Sequence, residues 1–217
     1  GHYSGTLVNA IMYHCKDSLS GINGQIRPGI VHRIDMDTTG SLIVCKNDES
    51  HVNIAEQIKE HTVNRIYVGI VCGNVTEDEG TIEGAIGRHP VDRKKMAVNE
   101  KNGKPAITHY KVLERFGNYT YMQFQLETGR THQIRVHMAS LGHPLLGDSL
   151  YCLSDISNPF SRAALHAWKL KFQLPFSIDE SASDTRASMH HDKNAKKEIS
   201  LEAPLPEDFK KFYETIF

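Results

Sequence analysis

The chain lacks the signatures of most familiar enzyme and membrane classes. None of its 217 residues falls in an apolar run long enough to cross a bilayer, and no basic-then-apolar leader stands at its start. There is no Walker loop, no G-x-G-x-x-G and no defensible Ser-His-Asp order. The usual sequence grounds for nucleotide hydrolysis, dinucleotide binding and serine acyl transfer are therefore absent. No internal repeat is found. Cysteine is scarce and scattered: Cys15, Cys45, Cys72 and Cys152 form no Cys-x-x-Cys pair. Three of the four sit in apolar runs, so they read as reduced, buried thiols of a cytoplasmic protein. Charge is nearly balanced, with 25 Lys and Arg against 26 Asp and Glu. That balance neither requires nor forbids nucleic acid, because acids elsewhere can offset a local basic face.

What is present is an ordinary globular composition, long enough to bury a sizeable core. A chain that opens on Gly1-His2 without methionine reads as trimmed or partial. Ser4-Gly5-Thr6 can cap a helix over 6–16, with Leu7, Ala10, Ile11 and His14 on one stripe. Leu42 to Lys46 reads as a buried strand. Asn47-Asp48 caps a second helix, Glu49 to His61, with Val52, Ala55 and Ile58 inward. Arg65 to Cys72 is apolar and β-prone enough for a central strand. A weaker strand is expected over 80–86. The Asn102-Gly103 pair suggests a tight hairpin turn. Strands follow over 106–114 and 119–127, the second alternating Met122, Phe124 and Leu126 against Tyr121, Gln123 and Gln125. Thr131 can cap a helix to about Leu141. Leu165 to Phe172 is a late strand. Residues 178–200 read as a polar surface insertion, with His190-His191 exposed on it. Pro206 opens a last amphipathic helix with Phe209, Phe212, Tyr213 and Ile216 at helical spacing. The sum is an α+β domain over 1–217 with a mixed, mainly antiparallel sheet flanked by helices.

Two stretches concentrate chemistry-bearing residues. The first, Arg27 to Asn47, sets His32, Arg33, Ile34 and Asp35 before Asp37-Thr38-Thr39-Gly40. A lone Asp beside a turn is ordinarily a cap. Asp37, next to Thr-Thr-Gly, fits that role better, which leaves Asp35 as the candidate reactive group. The second, Thr128 to His137, joins a turn, a helix start, two arginines and two histidines. It suits either a solvated helix face or an anion site. His132 and His137 are five apart rather than the four that puts two ligands on one helical face, so no metal is expected. Tyr67 sits in a strand-like run, where an aromatic is either core or the wall of a half-buried site. Residues 87–104 carry Arg88, Arg93, Lys94, Lys95, Lys101 and Lys104. They form a solvated hairpin or, if the partner is RNA, a phosphate-neutralising one.

Three blocks resemble one family in order: H-R-I-D-M-D-T-T-G at 32–40, R-I-Y-V-G-I-V-C-G at 65–73, and T-G-R-T-H-Q-I-R-V-H-M-A-S-L-G-H-P-L-L-G-D at 128–148. Smaller matches are I-G-R-H-P, G-K-P-A-I-T-H-Y and L-H-A-W-K-L-K-F. The family is the RluA-type pseudouridine synthases, RNA-modifying enzymes that isomerise uridine, and the likeness is to its large-subunit ribosomal RNA branch. The resemblance covers nearly the whole chain except 178–200. It implies the pseudouridine synthase catalytic fold, structured RNA (foremost ribosomal) as partner, base flipping, and no cofactor, metal or membrane.

By the same resemblance Asp35 is the catalytic aspartate, Arg135 its arginine partner and Tyr67 the aromatic against the target base. Arg33 fills the gap left by the flipped nucleotide. His32, Arg88, Lys94, Lys95, Arg130 and His132 face RNA. A bidentate Arg135–Asp35 pair is the expected geometry, since a buried carboxylate needs a charged partner. Asp35 attacks C1′ or removes the C2′ proton, and both routes remain open. Ser41 replaces a larger apolar residue and Arg65 a lysine of the family pattern. The strands with which the family's catalytic domain usually begins, and the small S4-type RNA-binding domain that many members carry ahead of it, are not in the 217 residues. The alternative is an RNA-binding remnant that keeps the fold without the chemistry.

Overall fold

The structure is a computed structural model that describes residues 4–16, 18–24, 27–152, 160–174 and 197–216. In chain order its elements are α1 Leu7–Cys15, β1 Thr39–Gly40, α2 Asp48–Lys59, β2 Asn64–Cys72, β3 Glu79–Glu83, β4 Ile86–Arg88, β5 Met96–Val98, β6 Ile107–Phe116, β7 Tyr119–Leu126, α3 Gln133–Ser140, β8 Leu165–Gln173, β9 Glu198–Glu202 and α4 Glu207–Ile216. The chain divides into two units. One holds residues 1–33, 42–63 and 171–201; the other holds 34–41, 64–170 and 202–217. No helix among the described residues is long and apolar enough to cross a membrane.

The larger unit is built on a sheet of order β1-β8-β2-β7-β6-β3, with β9 paired to β8. Pairing is antiparallel except for β1 beside β8, which gives the α+β, mainly antiparallel sheet that the strand pattern implies. β7 buries every second residue, Thr120, Met122, Phe124 and Leu126, as the two-residue period of a strand requires. β2 is buried almost throughout because both of its faces are covered. On one face Tyr67 and Val71 pack with Phe124, Ile134 and Met138 of α3, and Leu145. On the other, Val68, Ile70 and Cys72 pack with Leu146, Phe160, and Phe209 and Phe212 of α4. Burying each of these two α4 phenylalanines contributes about 1.5–3 kcal/mol. α3 thus lies on one side of β2 and α4 on the other. β4 and β5 form a separate two-stranded ribbon.

Several local expectations are corrected. Leu42 to Lys46 is not a strand: only an isolated Ile30–Val44 bridge forms there. Strand propensity depends on context, and the backbone here forms that single bridge, with the Cys45 N–H donating to the Gly29 carbonyl beside it. α2 is rotated from its expected stripe. Val52 is 61% exposed, while His51 and Ile54 are buried; the His51 ring meets the Asn23 amide, which also donates to the Ile30 carbonyl. α1 buries none of its residues. Its start is fixed locally, by Thr6 accepting from the Asn9 N–H while the Asn9 side chain accepts from the Thr6 N–H.

Asn102-Gly103 joins no two strands; it closes a turn in which Asn99 accepts from both residues. Residues 178–196 lie outside the described residues, and 198–200 open β9 rather than a polar insertion. The expected solvent exposure of His190-His191 likewise lies outside them. None of the four cysteines is in a disulfide, and two of them meet, with 3.4 Å between the sulfurs of Cys72 and Cys152.

Two buried histidines tie the sheet to its surroundings. Thr108 receives a hydrogen bond from Gln133 and gives its own hydrogen to His137 Nδ1, which leaves His137 Nε2–H facing the Gly84 carbonyl. His166 bridges Thr39 and the Ala203 carbonyl in the same manner. Burial lowers the pKa of both rings, so the folded chain holds them neutral where an unfolded chain would protonate them. Stability is therefore lost as pH falls below the ordinary histidine value of about 6.5. Urea midpoints measured from pH 7.5 down to 5 are expected to drop, and His137→Gln to flatten that slope. A midpoint that rises with acid contradicts this assignment.

Candidate active site

Asp35 stands at the head of a tight turn: the Thr38 N–H donates to its carbonyl at 3.0 Å. Behind the turn, Thr39 and Gly40 pair with His166 and Ala167 of β8, and the Ser41 N–H donates to Ala167 at 2.9 Å. Gly40 is required here. Its φ is +114°, and a Cβ would come within 2.2 Å of the Ala167 carbonyl oxygen. Arg162 adds a brace, donating to the Asp37 carbonyl while pairing with Asp208 of α4. Asp37 therefore helps hold the turn through its backbone, and Asp35 is left to project its carboxylate.

That carboxylate meets Arg135. The Arg135 Nη1 lies 3.5 Å from Asp35 Oδ2, with the side chains 4% and 14% exposed. The pairing is as the sequence implies, but its geometry is not. The bidentate grip belongs to Asp148: Arg135 Nε and Nη2 donate to its two carboxylate oxygens at 2.7 and 2.8 Å. Only the third nitrogen faces Asp35. Asp148 is fully enclosed, and its Oδ1 also accepts the Leu150 and Tyr151 N–H groups, so the buried carboxylate is well satisfied. Gly147 sets this up. At φ +77° it turns the chain where a Cβ would strike the Arg162 carbonyl oxygen at 2.2 Å. Burial pulls the Arg135 pKa down, but the Asp148 hydrogen bonds and the Asp148 and Asp35 charges outweigh it and leave it raised. The guanidinium is a permanent cation.

Arg135 sits on α3, whose residues 133–138 are all buried. Thr131 does not cap this helix. The cap position is His132, in a left-handed conformation at φ 56° without a side-chain cap bond. Gln133 organises the turn instead. Its carbonyl oxygen accepts from Thr128 and from the Arg130 N–H, while its amide donates to Ile107 and Thr108 of β6. Tyr67, one strand position past Ile66 on β2, is 7% exposed and therefore more deeply set than a half-buried wall. Burial pushes its phenol up to about 12, with Arg65 drawing it down and Asp35 pushing it up. It stays neutral across physiological pH. Tyr151, which carries no sequence signal of its own, places its ring under Arg135, 5.2 Å from the guanidinium carbon to the centroid.

The remaining sequence candidates fall in two groups. Arg88, Lys94 and Lys95 lie on or beside the β4–β5 hairpin and Arg130 on the loop before α3, in the same unit as Asp35; Arg88, Lys94 and Arg130 are exposed. His132 bonds the Tyr151 hydroxyl through Nδ1 at 2.9 Å. His32 and Arg33 belong to the other unit. There His32 Nε2 accepts the Ile43 N–H at 2.8 Å, and Arg33 is exposed.

Comparison with known proteins matches residues 11–140, more than half the chain, to a family described as RNA pseudouridylate synthase. The chain belongs to that family. Curated pseudouridine synthases agree along the rest of its length. An uncharacterized RNA pseudouridine synthase of Synechocystis is 50% identical over 180 residues, covering 82% of this chain and 55% of that protein. The uncharacterized RNA pseudouridine synthase YlyB of Bacillus subtilis is 47% identical over 216 residues, covering 100% and 64%. Ribosomal large subunit pseudouridine synthase D of Zymomonas mobilis is 47% identical over 185 residues, covering 82% and 58%. The chain thus spans somewhat more than half the length of these relatives. Among solved structures, human RNA Pseudouridylate Synthase Domain Containing 1 superposes with a TM-score of 0.65 at 25% identity, over 97% of this chain and 84% of that one. The pseudouridine synthase fold therefore carries the Asp35–Arg135–Asp148 arrangement described above.

Asp148 and Tyr151 are the two site residues that sequence reasoning missed. Asp148 closes the third family block, and its pairing with Arg135 joins a helix to a turn 13 residues away, which periodicity does not reveal. Since removing one partner of a buried ion pair strands the other charge, Asp148→Asn is expected to cost about 3–5 kcal/mol of stability. Urea unfolding reads this directly; a cost within about 1 kcal/mol (the range of an exposed ion pair) would show that the pair is dispensable.

Proposed function

We propose that this chain is the catalytic domain of a pseudouridine synthase acting on structured RNA, foremost large-subunit ribosomal RNA. One observation carries the reading: in a chain of this family, the Asp35 carboxylate faces a buried, permanently charged Arg135 at 3.5 Å. A uridine stacked in RNA is out of reach, so the nucleotide is flipped out, and Tyr67 holds its base. Asp35 acts at the ribose, by attack on C1′ or by removal of the C2′ proton. The N1–C1′ bond breaks, the uracil turns, and a C5–C1′ bond forms while C5 gives up its proton and N1 takes one. All atoms and electrons are conserved, so the chemistry calls for neither cofactor nor metal. Arg135 offsets the charge of the carboxylate. The name of the Zymomonas mobilis relative supports a ribosomal substrate. We place the activity in the cytoplasm, in keeping with four cysteines outside any disulfide.

In this reading the basic hairpin, with Arg88, Lys94 and Lys95, supplies phosphate contacts, Arg130, His132 and His32 face RNA, and Arg33 fills the gap left by the flipped nucleotide. Each neutralised phosphate releases counterions, so affinity falls with salt. Replacing Arg88, Lys94 and Lys95 with alanine is expected to weaken RNA binding. The slope of log affinity against log salt is expected to flatten by roughly 0.7–0.9 for each phosphate that the variant leaves unneutralised. An unchanged slope removes the hairpin from the interface.

The deciding experiment uses the full-length protein and unmodified ribosomal RNA. Wild type is expected to form pseudouridine, and Asp35→Asn to form none while still binding RNA. Equal product from both overturns the role of Asp35. Salt-dependent binding by both with product from neither returns the chain to a non-catalytic RNA-binding module.

A further inference from the structure

Tyr151 occupies a position that the pairing of Asp35 with Arg135 does not by itself explain. Its ring lies against the Arg135 guanidinium and edge-on to the His132 ring, with centroids 5.8 Å apart. Its backbone N–H donates to Asp148 Oδ1. Its hydroxyl accepts the Met96 N–H at 2.8 Å and meets His132 Nδ1 at 2.9 Å. Met96 opens β5, the strand that follows Lys94 and Lys95 in the hairpin. Met96 and Tyr151 also share a small apolar cluster with Ile86 of β4, Ala106 and Val136 of α3. One residue thus touches the arginine facing Asp35, the aspartate that grips that arginine, and the backbone of the basic hairpin.

A phenylalanine would fill the same space and offer the same ring face to Arg135. What only tyrosine adds is the hydroxyl, and the hydroxyl is the part that reaches the hairpin. Without that oxygen the Met96 N–H would lose this acceptor. We propose that Tyr151 is a positioning residue whose ring steadies Arg135 against Asp35 and whose hydroxyl latches the β4–β5 hairpin to that ion pair. RNA seated on the hairpin is thereby coupled to the geometry of the reacting carboxylate. The inference rests on the catalytic reading given above. It assigns Tyr151 no contact with substrate: the residue acts through Arg135 and through Met96. Coupling of this kind requires a physical chain of contacts between the two places, and the chain here is Met96 N–H, Tyr151 hydroxyl, Tyr151 ring, Arg135, Asp35.

The test compares wild type, Tyr151→Phe, Lys94→Ala/Lys95→Ala and the triple variant in the full-length protein. RNA affinity and the single-turnover rate of pseudouridine formation at saturating RNA are measured separately. Tyr151→Phe is expected to leave the urea midpoint close to that of wild type and the RNA affinity within about twofold, and to lower the saturated rate about tenfold. The lysine substitutions are expected to lower that rate in wild type but to change only affinity in the Tyr151→Phe background. Amide exchange at Met96 is expected to accelerate in Tyr151→Phe, reporting release of the latch independently of chemistry. An active wild type whose saturated rate is unchanged by Tyr151→Phe, or a lysine effect on rate that persists at full size in the triple variant, overturns this inference alone. A wild type that forms no product overturns the catalytic reading and the positioning role with it.

Discussion

The bidentate bond between Arg135 and Asp148 is the constraint on which the site depends. A guanidinium has its donors in a fixed plane, so fastening two nitrogens to one carboxylate fixes where the third points. Here the two fastened nitrogens are Nε and Nη2, and the third faces Asp35. Asp148 can act as the anchor because its own position is over-determined: it is fully enclosed and accepts two backbone N–H groups besides the arginine. The facing carboxylate is fixed from the opposite direction, by a turn clamped to β8 through Thr39, Gly40 and Ser41. A carboxylate and its counter-charge are thus held by separate supports, and neither depends on the other for its place.

The cost of such an arrangement is desolvation. Burying charges is unfavourable unless each is paired and its remaining hydrogen-bonding capacity is met. At the ion pair the condition is met by Asp148, which accepts two backbone N–H groups besides the arginine, and polar groups buried elsewhere on α3 are satisfied as well. Gln133 binds four partners across the turn before α3 and the start of β6. His137 and Thr108 complete a neutral relay beside it. The apolar layers then do the ordinary work of cohesion, α3 against one face of β2 and α4 against the other.

Much of this was legible in the sequence, for reasons that differ by element. β7 declares itself because a strand with one buried row must alternate, and Met122, Phe124 and Leu126 do. β2 declares itself as a continuous apolar run. The ordered blocks around Asp35, Tyr67 and Arg135 single out residues that the structure brings into one unit. What was not legible is what tertiary partners decide. Val52 and His51 both lie on plausible helical stripes, and it is His51 that is buried, with its ring against Asn23. Leu42 to Lys46 has the composition of a strand but forms a single bridge. The fork of Arg135 has two aspartates within reach, and its choice of Asp148 follows from a turn that Gly147 makes possible. Tyr151 gave no signal, since an aromatic after a Gly-Asp turn looks like packing until its hydroxyl is seen to meet Met96.

The central claim is that the grip of Asp148 on Arg135 places the group opposite Asp35, and that this is a requirement of function rather than of folding. Replacing the pair by apolar residues of similar size separates the two, because a buried ion pair can often be exchanged for hydrocarbon without harm to stability while a half-broken pair cannot. The measurement is the urea stability and pseudouridine formation of full-length Asp148→Leu against Asp148→Leu/Arg135→Met. The double variant is expected to be more stable than the single variant yet to form no pseudouridine. A double variant that modifies RNA at the wild-type rate would contradict the claim.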